Sequence, residues 1–438
     1  MKQKQHDPTK RPRWSWYFYD FGNSAYASVI LLAVFSAYFK NVVVGGAEGT
    51  RLWGLAVGIA AIIVAVMSPI LGSIADYAKS KKTFLILFTA LSVVFTALLF
   101  FVRKGDVVIG MVFFILAEIG YRAAQVFYDA LLTSVSTPEN IGSVSGKGWA
   151  IGMLGGIAAL LVVLVPIQLI GNSVIPYAFL ITAAFYFVSS VPMFLWVKEV
   201  HEEPAERKET GYFRVAFERL QHTFRSIRSY KEFLKYTVSF LIYNDGIMML
   251  MDFAAIIGAT LFGMTQIQLI LFVIVIQMSG AVGALLFGKI SDRLSSKESV
   301  VISLCILIGC ITALLFADRL FWFFVIGFFA GFSLSGAQAV SRSMVSQFAP
   351  PEKTTEFYGF LSVAGRTSTF VGPLVFGTIS YRMHNWYANR GVDAVLSEQY
   401  GLLWAIGSIL LFLVVGLLLL LFVKRVTAKD PIRYEKNS

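Results

Sequence analysis

The chain has 438 residues, 57% hydrophobic and 14% charged, with a mean hydropathy of +0.71. An ordinary soluble domain carries about 25% charged residues, so this chain has too few to cover a water-facing surface. Soluble enzyme, disordered regulator and disulfide-rich secreted module are all excluded, and the formal charge of +11 becomes a question of topology rather than of nucleic acid.

Apolar runs bounded by charges or turn residues predict twelve membrane spans, several reaching the ~20 residues that cross a ~30 Å hydrocarbon core. In chain order they lie near 15–39, 52–75, 83–102, 107–130, 140–170, 176–197, 233–257, 266–289, 299–317, 320–343, 355–380 and 400–423. The alternation in short segments that marks a membrane barrel is absent, so the spans are read as helices. The polar, basic segment 1–14 reads as a cytoplasmic tail, as does 424–438. With that orientation 28 of the 37 Lys and Arg residues fall on the cytoplasmic side. Seven fall outside, namely Lys40, Arg51, Arg103, Lys104, Arg319, Arg382 and Arg390, while Arg122 and Arg366 fall within spans. The bias places both termini in the cytoplasm and predicts a multi-pass protein of the cell (plasma or inner) membrane.

Segment 198–232 divides a six-span bundle, 15–197, from a second, 233–423. Phe213, Phe217, Leu220, Phe224 and Ile227 recur there at helical spacing with Arg214, Arg219, Arg225 and Arg228 between them. That pattern predicts an amphipathic helix at the membrane surface, either touching anionic lipid or serving as a strut between halves.

The halves repeat one another. Gly72 and Asp76, followed by Lys79, Lys81 and Lys82 after the second span, recur as Gly288 and Asp292, followed by Arg293 and Lys297, after the eighth. Ala124-Gln125 and Pro138-Glu139 recur as Ala337-Gln338 and Pro351-Glu352, and Gly146-Lys147 as Gly365-Arg366. The glycines are expected to allow close helix approach, and the aspartates to cap a helix or pair with a basic residue at the rim. This array resembles the repeated cytoplasmic signature of the major facilitator superfamily. The resemblance implies an all-α membrane fold of two pseudo-symmetric six-helix bundles around a solute site.

A narrower resemblance runs along nearly the whole chain. It rests on Tyr19-Asp20 with Asn23-Ser24-Ala25-Tyr26, Ser145 to Gly148, Gly152 with Gly155-Gly156, Tyr243-Asn244-Asp245-Gly246, Ser341-Arg342-Ser343, Gly365-Arg366 and Gly372-Pro373. These are similar to the vacuole-effluxer (autophagy-related) branch of the superfamily, whose fungal members are implicated in returning amino acids from the vacuole to the cytosol. The chain departs from the pattern at Met153, where an aromatic commonly follows the glycine, and at Arg366, where Lys is frequent.

Ionisable residues at membrane depth are costly and are functional candidates by default. Glu118 and Arg122 stand one turn apart in the fourth span, Asp245 lies in the seventh and Arg366 in the eleventh. The superfamily resemblance implies that these spans line or flank one cavity. Arg366 or Arg122 would then hold a substrate carboxylate, while Glu118 or Asp245 would gain and lose a proton. The alternative is two standing ion pairs that support packing. Tyr243, Asn244 and Gln277 could add hydrogen bonds. Asp20, Asn23 and Tyr26 form either a polar gate or an interfacial cap, and Lys147 either reaches the cavity or adds one more cytoplasmic lysine. At the rim, Asp292 and Arg342 are expected to form a salt bridge. Asp129 occupies the first-half position matching Arg342 and is expected to meet Lys79, Lys81 or Lys82 rather than Asp76.

Enzymatic chemistry is not expected: His6, His201, His222 and His384 all fall in tails or loops, which leaves the serines of Gly331-Phe332-Ser333-Leu334-Ser335-Gly336 without an activating base. That segment reads as small-residue helix packing. No phosphate-binding Gly-Lys-Ser/Thr loop occurs, and no cofactor or metal is expected. A channel is disfavoured because the buried charges are of mixed sign. The expectation is a monomeric secondary transporter working by alternating access on a small polar solute, amino-acid-like in the first instance and with a proton as candidate co-substrate. Drug or metabolite efflux by proton antiport, and a lipid-moving or non-transporting role, are the alternatives.

Overall fold

The structure, a computed structural model, describes residues 10–78, 81–136, 141–198, 230–348, 357, 361, 365 and 370–425, with backbone alone at 68–78 and at a few further positions. Its helices follow the predicted spans closely. They are α1 (Lys10–Tyr26), α2 (Gly46–Ala78), α3 (Lys81–Leu98), α4 (Val107–Ala130), α5 (Ile141–Ile170), α6 (Ile175–Trp196), α7 (Lys231–Phe262), α8 (Gln266–Arg293), α9 (Ser296–Leu314), α10 (Leu320–Phe348), α11 (Val371–Ala388) and α12 (Ala394–Leu421). The described residues contain no strand. Among the described residues eleven helical spans are long and apolar enough to cross a bilayer, and the protein is a multi-pass integral membrane protein.

Local sequence explains where several helices start and stop. Thr265 caps α8 with a reciprocal pair of bonds: its Oγ1 accepts from the Gln268 N–H at 3.4 Å, and its own N–H donates to Gln268 Oε1 at 2.9 Å. Ser295 and Asp393 cap α9 and α12 through bonds from the Glu298 N–H (3.1 Å) and the Val395 N–H (2.9 Å). Gly263 ends α7 at φ 60°, a left-handed conformation that suits glycine.

Two departures from the expected spans have physical causes. The first span is not a uniform α-helix: after α1 it continues through a π-helical segment, Ala27–Ala33, a short α-helical stretch, Phe35–Tyr38, and a second π segment, Phe39–Val44. Wide turns of this kind re-aim side chains within a helix, and here they carry the chain past 39 as far as 44. The eleventh span was expected at 355–380; α11 runs on to Ala388, which corrects the assignment of His384 to a loop by placing it on a helix, and most of 355–369 lies outside the described residues. The amphipathic helix expected at 213–228 also lies outside them.

The chain divides into two compact units, residues 1–38 with 66–216 and residues 39–65 with 217–438. In the first, α1 packs on α5 and α6, and α3 packs on α4 and α6. In the second, α7 packs on α11 and α12, and α9 packs on α10 and α12. Adding six to each helix number in the first set produces the second, so the sequence repeat is also a repeat of packing. The described residues are thus all-α, in two sets of helices whose packing repeats.

The distribution of polarity is that of a membrane protein. Leu169, Phe187, Leu285, Phe316 and Phe422 are exposed, whereas Thr89, Ser92, Thr96, Ser299 and Ser303 are buried. Lipid is as apolar as leucine, so it is the polar groups that helices turn toward each other.

Small residues set the closest approaches. A Cβ on Gly155 of α5 would stand 2.0 Å from the Phe21 carbonyl oxygen, and one on Gly152 would stand 2.5 Å from Asp20 Oδ2. In the second unit a Cβ on Gly283 would stand 1.9 Å from the Phe332 carbonyl oxygen, and one on Gly336 would stand 2.1 Å from the Phe287 ring. Segment 331–336 therefore packs helices, as its composition implied. Gly288 corrects the expectation of close approach at the repeated glycine: a Cβ there would meet nothing within 4 Å.

Candidate functional site

In the first unit the candidate residues gather where α1 faces α4. Glu118 is fully buried, and its Oε1 accepts from Arg122 Nε one turn along α4. Arg122 keeps 22% of its side chain exposed, so one end of its guanidinium holds Glu118 while the rest reaches less buried surroundings. The Tyr26 hydroxyl lies beside the Glu118 carboxylate, and its ring stacks on Tyr121 with centroids 4.6 Å apart. Glu118 Oε2, Tyr26 Oη and Asn23 Oδ1 make no hydrogen bond of good geometry among the described residues, although the Tyr26 hydroxyl lies within reach of the carboxylate. Buried polar groups are nearly always paired, and each exception calls for an explanation. Two of these atoms, on Tyr26 and Glu118, lie side by side between α1 and α4 and form a polar spot in that helix contact.

Helix α1 is held here by its aromatic face. Tyr19 Oη hydrogen-bonds Thr89 Oγ1 at 2.7 Å and Tyr186 Oη at 2.9 Å. Trp16 donates from Nε1 to the Tyr128 carbonyl at 3.1 Å, and its ring stacks on the Tyr128 ring at 4.3 Å. Asp20 sits against Gly152, which explains why a glycine stands there. Lys147 is exposed near the start of α5.

In the second unit Asp245 is 3% exposed on α7, and its Oδ1 has no hydrogen-bond partner among the described residues. The neighbouring side chains are satisfied. Asn244 Oδ1 accepts from Gln338 Nε2 at 2.9 Å, and Tyr243 Oη and Ser341 Oγ lie 2.6 Å apart. Gln277 is half-buried on α8. Asp252 lies two turns beyond Asp245, also buried, and places a second carboxylate in its field. The Asp252 backbone carbonyl accepts from Trp53 Nε1 at 2.9 Å.

Other predicted positions divide by place. Arg366 and Lys79 lie outside the described residues. Gly72 and Asp76 are on α2, Asp292 on α8 and Arg342 on α10, in each case with the backbone alone described. Asp129 is exposed at the end of α4, and Lys82 donates to the Val197 carbonyl at 2.9 Å.

Two features escaped the sequence reading. Lys40, assigned to an outer loop, is 5% exposed and forms an ion pair with Glu398 of α12 at 2.6 Å. Asp252 was passed over although it falls within the seventh predicted span. The signal for Asp252 was its spacing of seven from Asp245, two turns on one helix face. For Lys40 the signal was weaker: nothing in an apolar run ending in a lysine tells that π turns will carry it back against another helix.

Comparison with known proteins agrees with this architecture. The family described as vacuole effluxer Atg22-like matches residues 52–140 and 133–429. The MFS-type transporter YxiO of Bacillus subtilis is 29% identical over 429 residues, 95% of each chain. Autophagy-related protein 22-1 of Neosartorya fischeri is 23% identical over 264 residues, 55% of this chain and 43% of that protein. Among solved structures, a bacterial homologue of the human lysosomal transporter Spinster superposes with a TM-score of 0.74 at 12% identity, covering 98% of this chain and 99% of that one. A D-xylose–proton symporter superposes with a TM-score of 0.68 at 13% identity, covering 97% and 99%. A family match over most of the chain, joined to this fold, identifies the protein: it is a membrane transporter of the major facilitator type and belongs to the vacuole effluxer Atg22-like family.

Proposed function

We propose that the protein is a secondary active transporter that moves a small polar solute, amino-acid-like in chemistry, by alternating access with a proton as co-substrate. The observation that carries this reading is the buried Glu118, one oxygen held by Arg122 and the other without a hydrogen bond of good geometry beside the Tyr26 hydroxyl. A carboxylate and a guanidinium one turn apart offer one group for an ammonium and one for a carboxylate, which is the charge pattern of a zwitterion. Asp245, with an unpartnered oxygen in a buried setting, is the second acid that can trade a proton. Arg366 is assigned the role of a further carboxylate contact on the strength of its depth within the eleventh predicted span. Asp20, Asn23 and Tyr26 act as the polar gate beside Glu118, and the paired aspartates and basic residues of the repeated rim motif bias the open–closed equilibrium, which a few kcal/mol shift decisively. The resemblance to vacuole effluxers, whose fungal members are implicated in returning amino acids to the cytosol, makes amino acids rather than drugs the first substrates to test.

The test is uptake of labelled amino acids into proteoliposomes with and without an imposed pH gradient. Glu118→Gln and Asp245→Asn are each expected to abolish gradient-driven uptake while the protein remains folded. Full uptake by both variants would remove these acids from the mechanism. Uptake indifferent to the gradient would remove the proton.

A further inference from the structure

A cavity of about 240 Å³ opens between α2 and α11, lined by Arg51, Leu55, Leu374, Thr378, Tyr381 and Arg382. Its two walls are held in register by direct contact. A Cβ on Gly54 would stand 2.3 Å from the Pro373 carbonyl oxygen, one on Gly58 would stand 2.8 Å from Leu374 Cγ, and one on Gly377 would stand 3.2 Å from Arg51 Cα. The cavity walls are therefore set by close packing at Gly54, Gly58 and Gly377, with the Leu374 side chain as part of that contact.

Its charge is unbalanced. Arg51 gives Nε to Glu48 Oε2 at 2.9 Å and Nη2 to Glu48 Oε1 at 2.5 Å, which leaves Nη1 uncommitted. The Arg51 guanidinium also lies over the Tyr381 ring, 4.8 Å from its centroid. Arg382 has no ion-pair or hydrogen-bond partner among the described residues. Two guanidiniums of the lining thus share one acid, Glu48 beside it, which leaves a net excess of one positive charge. The Leu55 and Leu374 walls lower the local dielectric and strengthen the attraction for an anion. The Thr378 and Tyr381 hydroxyls supply neutral donors on the same wall. At about 30 Å³ per water, the volume holds about eight water-sized groups, room for a small organic anion but not for a drug-sized molecule.

We infer that this cavity is a binding site for a small monocarboxylate, held between Arg51 Nη1 and the Arg382 guanidinium. Planar forks match the two oxygens of a carboxylate, which a point charge does not. The positive-inside count puts Arg51 and Arg382 on the outer side, so the site is where a carboxylate-bearing solute would meet the protein from that face. The inference goes beyond the transport reading and does not need it, because the residues involved differ from those assigned to transport.

Saturation-transfer NMR on the full-length protein in nanodiscs tests it, with sodium acetate as probe and methylammonium as the cation control. Transfer is expected to the acetate methyl group and not to methylammonium. Arg382→Gln is expected to weaken acetate binding by about tenfold or more, the loss of one charge-assisted contact, and Arg382→Lys to restore part of it. Arg382 is exposed, so its replacement spares the fold, and an unchanged thermal midpoint without ligand verifies this. Equal acetate affinity in wild type and Arg382→Gln, or no transfer in wild type, overturns the site. Displacement of acetate by inorganic phosphate at lower concentration overturns the carboxylate assignment. Transport activity is not read in any arm, so the two readings fail separately.

Discussion

The Lys40–Glu398 pair allows a prediction worked from geometry. Its charges are 2.6 Å apart, with side-chain exposures of 6% and 16%, so neither is well hydrated. Removing one partner of a buried pair strands the other and costs about 3–5 kcal/mol, whereas replacing both with apolar groups is often neutral or stabilising. The partial exposure of Glu398 places the expected loss near the lower end, about 3 kcal/mol for Lys40→Met or for Glu398→Leu alone. The double variant should recover most of that loss, since no charge is left uncompensated. Equilibrium unfolding in mixed micelles, analysed as a double-mutant cycle, measures both effects. If each single variant falls within about 0.5 kcal/mol of wild type, the range of an ordinary surface change, the pair is hydrated and the reasoning is wrong. Additive single losses would instead show that each side chain acts through packing and not through its partner.

The glycines separate close packing from mere helix composition. Gly155→Ala and Gly283→Ala place a Cβ about 2 Å from a backbone oxygen and should each cost about 1–3 kcal/mol in the same unfolding assay. Gly288→Ala meets open space and should be neutral or stabilising by about 0.5–1 kcal/mol, because alanine loses less backbone entropy in a helix; a loss there as large as at Gly155 would refute the packing account. Tyr243→Phe removes the 2.6 Å bond to Ser341 and should cost about 1 kcal/mol, with Ser341 still able to donate to the Ala337 carbonyl. An unchanged midpoint would show that Ser341 alone satisfies the contact.

Much of the candidate site was legible one residue at a time. Glu118 and Asp245 stood out because an acid inside an apolar run is costly, and both are buried in the structure. The i, i+4 spacing of Glu118 and Arg122 foretold their pairing, since those positions share a helix face. Tyr26 was legible as a polar residue near Asp20, but not as a hydroxyl set beside the Glu118 carboxylate. That depends on the facing of α1 against α4, which is long-range. The opposite failure is Gly288: its repeat position suggested tight packing, yet the same sequence pattern serves a contact at one site and none at another.

By itself the sequence determined the solvent, the number of spans and the pairing of two repeats. Each follows from composition or from short-range period, because a bilayer demands long apolar helices whatever they pack against. Only the tertiary structure decided which charges meet. Lys40 read as an outer-loop lysine until the π turns of the first span brought it to Glu398, 358 positions further along the chain. Arg51 and Arg382 read as two unrelated outer charges until α2 and α11 closed one cavity around them. Charges interact across space and not along sequence, so the excess of +11 located the membrane while the fold located the sites.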